Sequence, residues 1–220
     1  VPVTVIIPAL NEEARIGAAI DSAFACGAIE VIVADCGSAD ATCALAAARN
    51  ARLIAGERMR ARAMNRAAAE ARGDVVIFLH ADTLLPSGAA EAAERAIAAG
   101  AELGGFRLRF AEKSPRLRVA ETMINLRATL TRRPWGDQAQ FVARDAFIAS
   151  GGFREIPIME DYELAMRAKR RVLLPLVVTT SGRRFLEKGV LRTAFINWRI
   201  ILSWRLGISD ADSLARIYRR

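Results

Sequence analysis

With 220 residues, 53% of them hydrophobic, the chain can build a substantial core, which argues against disorder. An excess of 32 Lys and Arg over 24 Asp and Glu gives a net charge of +8 and favours anionic partners: phosphate-bearing substrates, a membrane surface or nucleic acid. Three cysteines, Cys26, Cys36 and Cys43, form an odd set without a C-x-x-C pair; that fits a reducing compartment better than a disulfide framework and offers no zinc spacing. Residues 3–7 read as a β-branched strand and 12–25 as a helix. The strand 30–34 precedes a helix over 39–50, with Ser38 or Asp40 as its cap. A weak strand at 52–55, a helix at 60–72 and a buried strand at 74–79 follow, and Pro86 opens a helix that stops near Gly100. This alternation with short connections predicts an α/β fold with a parallel sheet covered on both faces.

Beyond Gly100 the rhythm is less regular. Residues 105–110 read as a strand, and Pro115 follows Ser114 as a first helical residue. Val119, Met123, Leu126 and Leu130 then form an apolar stripe at helical spacing. A loop at 132–137 leads into 140–143; helices are expected at 161–171 and 190–206, with a strand at 174–180 between them. No repeat or linker divides the chain, so one domain is expected, with 1–100 as a nucleotide-binding half and 101–220 as an acceptor-side half. The run 3–8 is too short for the core of a signal peptide, and the stretch 194–208 is interrupted by Asn197, Arg199 and Arg205, so neither reads as a leader or a membrane span.

Open parallel sheets bind ligands outside the carboxyl ends of their strands. Three strands here end in polar segments: 8–12 (PALNE), 35–40 (DCGSAD) and 80–83 (HADT). Neither G-x-G-x-x-G nor G-x-x-x-x-G-K-[ST] follows the first strand, which removes the usual sequence support for dinucleotide or P-loop phosphate binding. A carboxylate-bound Mg²⁺ or Mn²⁺ together with arginines is the physical alternative for neutralising a diphosphate.

Seven segments in order carry a resemblance: 5–12 (VIIPALNE), 33–40 (VADCGSAD), 78–83 (FLHADT), 136–139 (GDQA), 151–153 (GGF), 159–164 (MEDYEL) and 181–185 (SGRRF). Over nearly its whole length the chain resembles family 2 glycosyltransferases of the GT-A fold, most closely the radical-SAM/selenodomain-associated transferase 2 subgroup. The resemblance implies a nucleoside-diphosphate sugar donor, UDP- or GDP-linked, a divalent metal, and inverting transfer to an unidentified acceptor hydroxyl. It places Pro8, Leu10 and Glu12 in the first donor-binding loop. Asp35 is implied as a nucleobase contact, against the plain alternative of a helix cap. Cys36 stands where relatives often have a second acid.

His80-Ala81-Asp82 occupies the place of the family's D-x-D motif, so Asp82 is implied as a metal ligand. His80, the only histidine, could ligate the metal, donate to a phosphate or support Asp82. The resemblance makes Asp161 the general base and gives Glu160 the task of orienting it; the plain alternative is that both acids merely suit a helix N-terminus. Arg58, Arg60 or Arg62 could reach the nucleotide, and Arg183 and Arg184 match a basic stretch that contacts diphosphate in relatives. Phe185 replaces the family's usual Trp.

Acceptor contacts are expected from loops 135–138 and 151–157. The basic, aromatic stretch 190–206 could lie on an anionic membrane and serve a lipid-linked acceptor, or simply dock on the domain; the stripe of residues 119–130 carries the same two readings. The expected location is the cytoplasm, including the inner face of the cell membrane, with no nucleic-acid partner. The competing activities are a sugar-nucleotidyltransferase, which lacks its glycine- and lysine-bearing loop here, and a non-catalytic nucleotide- or nucleic-acid-binding protein, for which no binding motif is present.

Overall fold

The computed structural model describes residues 1–208 and 210–219. In chain order the elements are β1 (Val3–Ala9), α1 (Ile16–Ala25), β2 (Glu30–Asp35), α2 (Thr42–Ala47), β3 (Arg52–Ile54), α3 (Arg60–Glu70), β4 (Val75–Phe78), β5 (Thr83–Leu84) and α4 (Ala89–Ala98). The second part holds β6 (Leu103–Phe110), α5 (Pro115–Thr131), a 3-10 turn (Gly136–Gln138), β7 (Phe141–Ala143), α6 (Arg144–Ala149), α7 (Glu160–Arg167), β8 (Arg171–Thr180), α8 (Arg183–Lys188), α9 (Val190–Arg205) and α10 (Ala211–Arg219).

One eight-stranded sheet, ordered β3-β2-β1-β4-β7-β6-β8-β5, runs through both parts of the chain. β1 is central to the first part, paired in parallel with β2 and β4, and its Ala9 lies opposite Asp35. The regular parallel pattern stops at β7, which runs antiparallel between β4 and β6. β6 and β8 are again parallel, with a register shift between Phe106 and Arg107. The sheet is thus mixed, parallel where the sequence alternates and antiparallel where that rhythm breaks.

Both faces of the sheet are covered, which is why β1, β2 and β4 read as largely apolar runs. Val5 and Ile7 of β1 pack with Ile16, Ile20 and the alanines of α4 on one face. Ile6 packs on the other with Ala63, Ala67 and Ala68 of α3 and with Phe153. The alanines let these helices approach the sheet closely. Phe78, Phe147 and Phe153 form an aromatic cluster with ring centroids 4.6–5.1 Å apart. Each pair adds about 0.5–1.5 kcal/mol beyond burial, and together they anchor the loop after Gly151 to the sheet.

The departures from the sequence reading have local causes. The helix expected from residue 12 starts at Ile16, because Asn11 sits at φ +55° and the Glu12 carbonyl accepts the amides of Arg15 and Ile16 in a turn. The helix expected to reach residue 171 stops at Arg167, since Arg171 already belongs to β8. β5, α6 and α8 are too short to have shown a clear period, whereas α10, an amphipathic helix that buries Leu214 and Ala215, was not expected from the sequence. The α5 stripe, for which two readings were open, lies outward: Val119, Met123, Leu126 and Leu130 are exposed, while Leu117, Ala120 and Ala128 face the core.

Candidate active site

Loops 8–12 and 35–42, at the carboxyl ends of β1 and β2, are stapled to each other. The Asn11 amide donates to Ser38 Oγ at 3.0 Å, Asn11 Oδ1 accepts the Ala39 amide at 2.9 Å, and the Glu12 amide donates to Thr42 Oγ1 at 2.8 Å. Asp35 is buried and accepts the Gly37 and Ser38 amides at 3.0–3.2 Å. It therefore holds its own turn, with lone pairs left over for a further donor. Neither Ser38 nor Asp40 is the cap of α2, a position held by Ala41 without a side-chain bond; Asp40, one residue earlier, accepts the Thr42 amide and hydroxyl.

Beside these loops opens a cavity of about 800 Å³, lined by Pro8, Leu10, Arg60, His80, Asp137 and Asp161 among others. Its far wall is formed by α9 and α10 through Asn197, Ile200 and Tyr218. Arg58 also lines it, whereas Arg62 is drawn away into an ion pair with Glu155 at 2.7 Å.

Arg60 and Glu160 join the two parts of the chain across this cavity. Arg60 Nε donates to Glu160 Oε1 at 2.6 Å, and Glu160 is 1% exposed. Burial pushes the Glu160 carboxyl above its ordinary value; Arg60 opposes that shift and Asp161 adds to it. Met159 adopts φ +70°, a left-handed conformation that costs a non-glycine residue about 1–2 kcal/mol. That turn starts α7 so that Glu160 and Asp161 stand at its N-terminus, where the helix dipole favours negative charge. Asp161 Oδ2 accepts the Gly136 amide at 2.6 Å, and the Asp161 carbonyl accepts Gln140 Nε2 at 2.9 Å. A Cβ on Gly136 would lie 2.9 Å from Asp161 Oδ2 and 3.1 Å from His80 Nε2, so glycine is what lets these three meet. Burial and the nearby Arg60 charge hold His80 below the ordinary imidazole value and therefore neutral, against the opposite pull of Asp82 and Asp161.

Ala81 is buried between His80 and Asp82. Asp82 opens on a second cavity of about 530 Å³, which it shares with Arg15, Glu112, Ser181 and Arg183. Nearby Glu12 is raised above its ordinary value by burial and by the Asp82 charge, with Arg15 and Arg183 opposing. Glu12 Oε2 is buried and accepts no hydrogen bond, lying 3.5 Å from Arg15 Nη1 in an ion pair, and among the described residues Asp82 makes no ion pair. The Glu12 and Asp82 carboxylates, close enough for the Asp82 charge to bear on Glu12, supply the oxygen donors that fit a hard divalent cation. Among the described residues no group of three His, Cys, Asp or Glu could hold a metal alone, so most ligands would come from the donor and water. Arg184 is occupied elsewhere, stacked 3.4 Å over the Tyr218 ring, and Phe185 packs against Phe110.

Residues 4–155 match the family model described as glycosyl transferase family 2. The chain belongs to that family. The fold is GT-A: it is shared with S. aureus TarS 1–349 solved with UDP-GlcNAc (18% identity, TM-score 0.65, covering 83% of this chain and 59% of that one). It is shared as well with glucosyl-3-phosphoglycerate synthase from Mycobacterium tuberculosis, solved with Mn²⁺, UDP and glucosyl-3-phosphoglycerate (24% identity, TM-score 0.54, covering 96% and 81%). By sequence the chain is 36% identical over 96 residues to a glucosyl-3-phosphoglycerate synthase of Mycolicibacterium paratuberculosis, a match spanning 38% of this chain and 29% of that relative. No helix among the described residues is long and apolar enough to cross a membrane.

Within this family frame the sequence reading gave Asp137 no role of its own, placing it in the family-matching segment 136–139 and in an acceptor loop. Its Oδ1 is buried without a hydrogen-bond partner, and burial pushes its carboxyl up to about 6; Arg127 opposes, while Asp161 and Asp82 add to the rise. Its conjunction with a lone Gly and a Gln was visible in the sequence, but nothing there revealed that it would be buried beside two other acids. The folded chain holds the Asp137 proton to about pH 6, whereas an unperturbed group loses it near 3.8. The folded state then binds more protons than the unfolded across that window, so the contribution of Asp137 to stability is lost as pH rises from about 4 to about 6. Asp137→Asn is expected to flatten that part of the pH–stability curve measured by urea melts.

Proposed function

We propose that this chain transfers a sugar, with inversion, from a nucleoside-diphosphate sugar, UDP- or GDP-linked, to an acceptor hydroxyl. The observation that carries the reading is the placement of Asp161. Its Oδ2 is fixed by the Gly136 amide, so Oδ1 is the oxygen left to take a proton inside the larger cavity. The acceptor O–H gives its proton to Asp161 as its oxygen bonds to the anomeric carbon. The bond from that carbon to the diphosphate oxygen breaks on the opposite side, and the nucleoside diphosphate departs. Glu160, locked by Arg60, holds the start of α7 and so positions Asp161.

Pro8, Leu10 and Asp35 supply the nucleotide side of the site, and Arg60 and Arg183 supply positive charge for the diphosphate. Asp82, with Glu12 close by, would hold Mg²⁺ or Mn²⁺; when bound, the ion neutralises charge building on the leaving diphosphate. His80, neutral and turned toward Asp161, supports that acid rather than sharing the ion with Asp82. The seven ordered segments from 5–12 to 181–185 favour the radical-SAM/selenodomain-associated subgroup, and the setting proposed for the chain is the cytoplasm. The residues that choose the acceptor lie in loops 135–138 and 151–157.

Thermal unfolding in the presence of UDP or GDP, with and without Mn²⁺, tests the donor and metal assignments together. At a nucleotide concentration near 100 times Kd, binding adds about 2.7 kcal/mol of stability. We expect that gain for one nucleotide only when Mn²⁺ is present, and its disappearance in Asp82→Ala. A gain that survives both chelation and Asp82→Ala would overturn the metal assignment.

A further inference from the structure

Helices α5 and α9 pack against each other, and each turns its larger side chains away from the core. On α5 Val119, Met123, Leu126 and Leu130 are 50–75% exposed. On α9 Leu191, Phe195, Trp198 and Leu202 are 39–86% exposed. Both sets follow the same spacing (i, i+4, i+7, i+11), which puts each on one face of its helix. The buried residues of these helices are few: Leu117, Ala120 and Ala128 on α5, Thr193 and Ile200 on α9. Single exposed apolar side chains are ordinary, but eight of them, in one row on each of two neighbouring helices, point to an interaction surface.

The charges around the rows name the partner. α9 carries Arg192, Arg199 and Arg205 and no acidic residue. Arg192 and Arg199 are exposed, each next in sequence to an outward apolar residue. Exposed Arg116 and Arg132 stand at the two ends of α5, whose single acid, Glu121, is paired with Arg118 at 2.8 Å. Apolar rows bordered by arginine, with a Trp at the boundary, match the anionic interface of a bilayer. A second copy would bring like charges together across the same face in a chain of net charge +8.

We infer that α5 and α9 form a two-helix platform that docks on anionic lipid surfaces without crossing them. α9 serves both sides at once: Asn197, Ile200 and Ile201 wall the larger cavity, while the Phe195–Trp198 row faces the bilayer. The cavity is thereby held next to the headgroups, where an acceptor carried on a lipid would be presented. That consequence rests on the proposed donor site; the docking itself does not.

Sedimentation with vesicles of pure phosphatidylcholine, or of phosphatidylcholine mixed with phosphatidylglycerol, tests the platform. The protein is expected to pellet with the mixed vesicles and to be released by added salt. Leu126→Ser with Leu130→Ser, and separately Phe195→Ser with Trp198→Ser, should each weaken partitioning by roughly tenfold or more. Circular dichroism and unchanged nucleotide-dependent melting show that these surface variants remain folded and separate the platform from the donor reading. Absence of pelleting with anionic vesicles, or pelleting unchanged in both double variants, overturns the inference. So does a dimer in light scattering that the same substitutions dissolve, because the face would then belong to a second copy.

Discussion

Asp161→Asn is expected to lower kcat by about 10²- to 10⁴-fold, the range by which a positioned general base accelerates proton transfer. The substitution keeps the shape of the side chain, and its amide oxygen can still accept the Gly136 amide that now binds Oδ2 at 2.6 Å. Folding and donor binding should therefore persist, and the loss should fall on kcat rather than on the nucleotide Kd. Single-turnover kinetics, with nucleotide titration as the control, make that separation. A variant with full turnover would remove Asp161 from the chemistry and turn attention to Asp137, the other acid in the cavity with an unpartnered oxygen. Asp137→Asn on its own is expected to change the pH dependence more than the rate.

The site was legible in the sequence to unequal depths, for physical reasons. β1, β2 and β4 are buried on both faces, so apart from Thr4 and Glu30, which bond to each other, their sequences are apolar up to the polar segments that follow them. That contrast was enough to place loops 8–12, 35–40 and 80–83 on one edge. It could not reveal that His80 and Asp82, two residues apart, line different cavities, because the direction of a side chain beyond a strand's end is set by tertiary contacts. Asp35 could not be divided between cap and ligand from sequence, and the Gly37 and Ser38 amides show that part of its bonding capacity serves its own turn. Arg184 matched a diphosphate-binding stretch, yet Tyr218, more than thirty residues away, holds it. The α5 stripe had the period of a core-facing helix and lies outward, since period fixes that a face exists but not what covers it.

The Arg60–Glu160 pair was equally invisible, joining residues 100 apart in sequence, and its removal should have the largest effect on stability. Arg60→Ala strips from a carboxylate that is 1% exposed the only ion-pair partner it has among the described residues. Breaking a fully buried pair costs about 3–5 kcal/mol. The cost here should be smaller, about 2–3 kcal/mol, because the Arg60 side chain is 42% exposed and Glu160 can take up a proton once its counter-charge is gone. The carboxyl already sits above its ordinary value through burial, and Arg60 is the group that restrains the rise. Without Arg60 the folded state retains the proton to higher pH, so the variant should lose more stability as pH rises than the native chain does. Arg60→Ala combined with Glu160→Gln removes the charge while keeping the shape, and urea melts should show it regaining part of the loss at neutral pH. Activity should not follow stability in that rescue. Arg60 also faces the cavity, and Glu160 fixes the helix start that carries Asp161. A double variant that is stable but slow would separate the pair's structural role from its role in positioning the base.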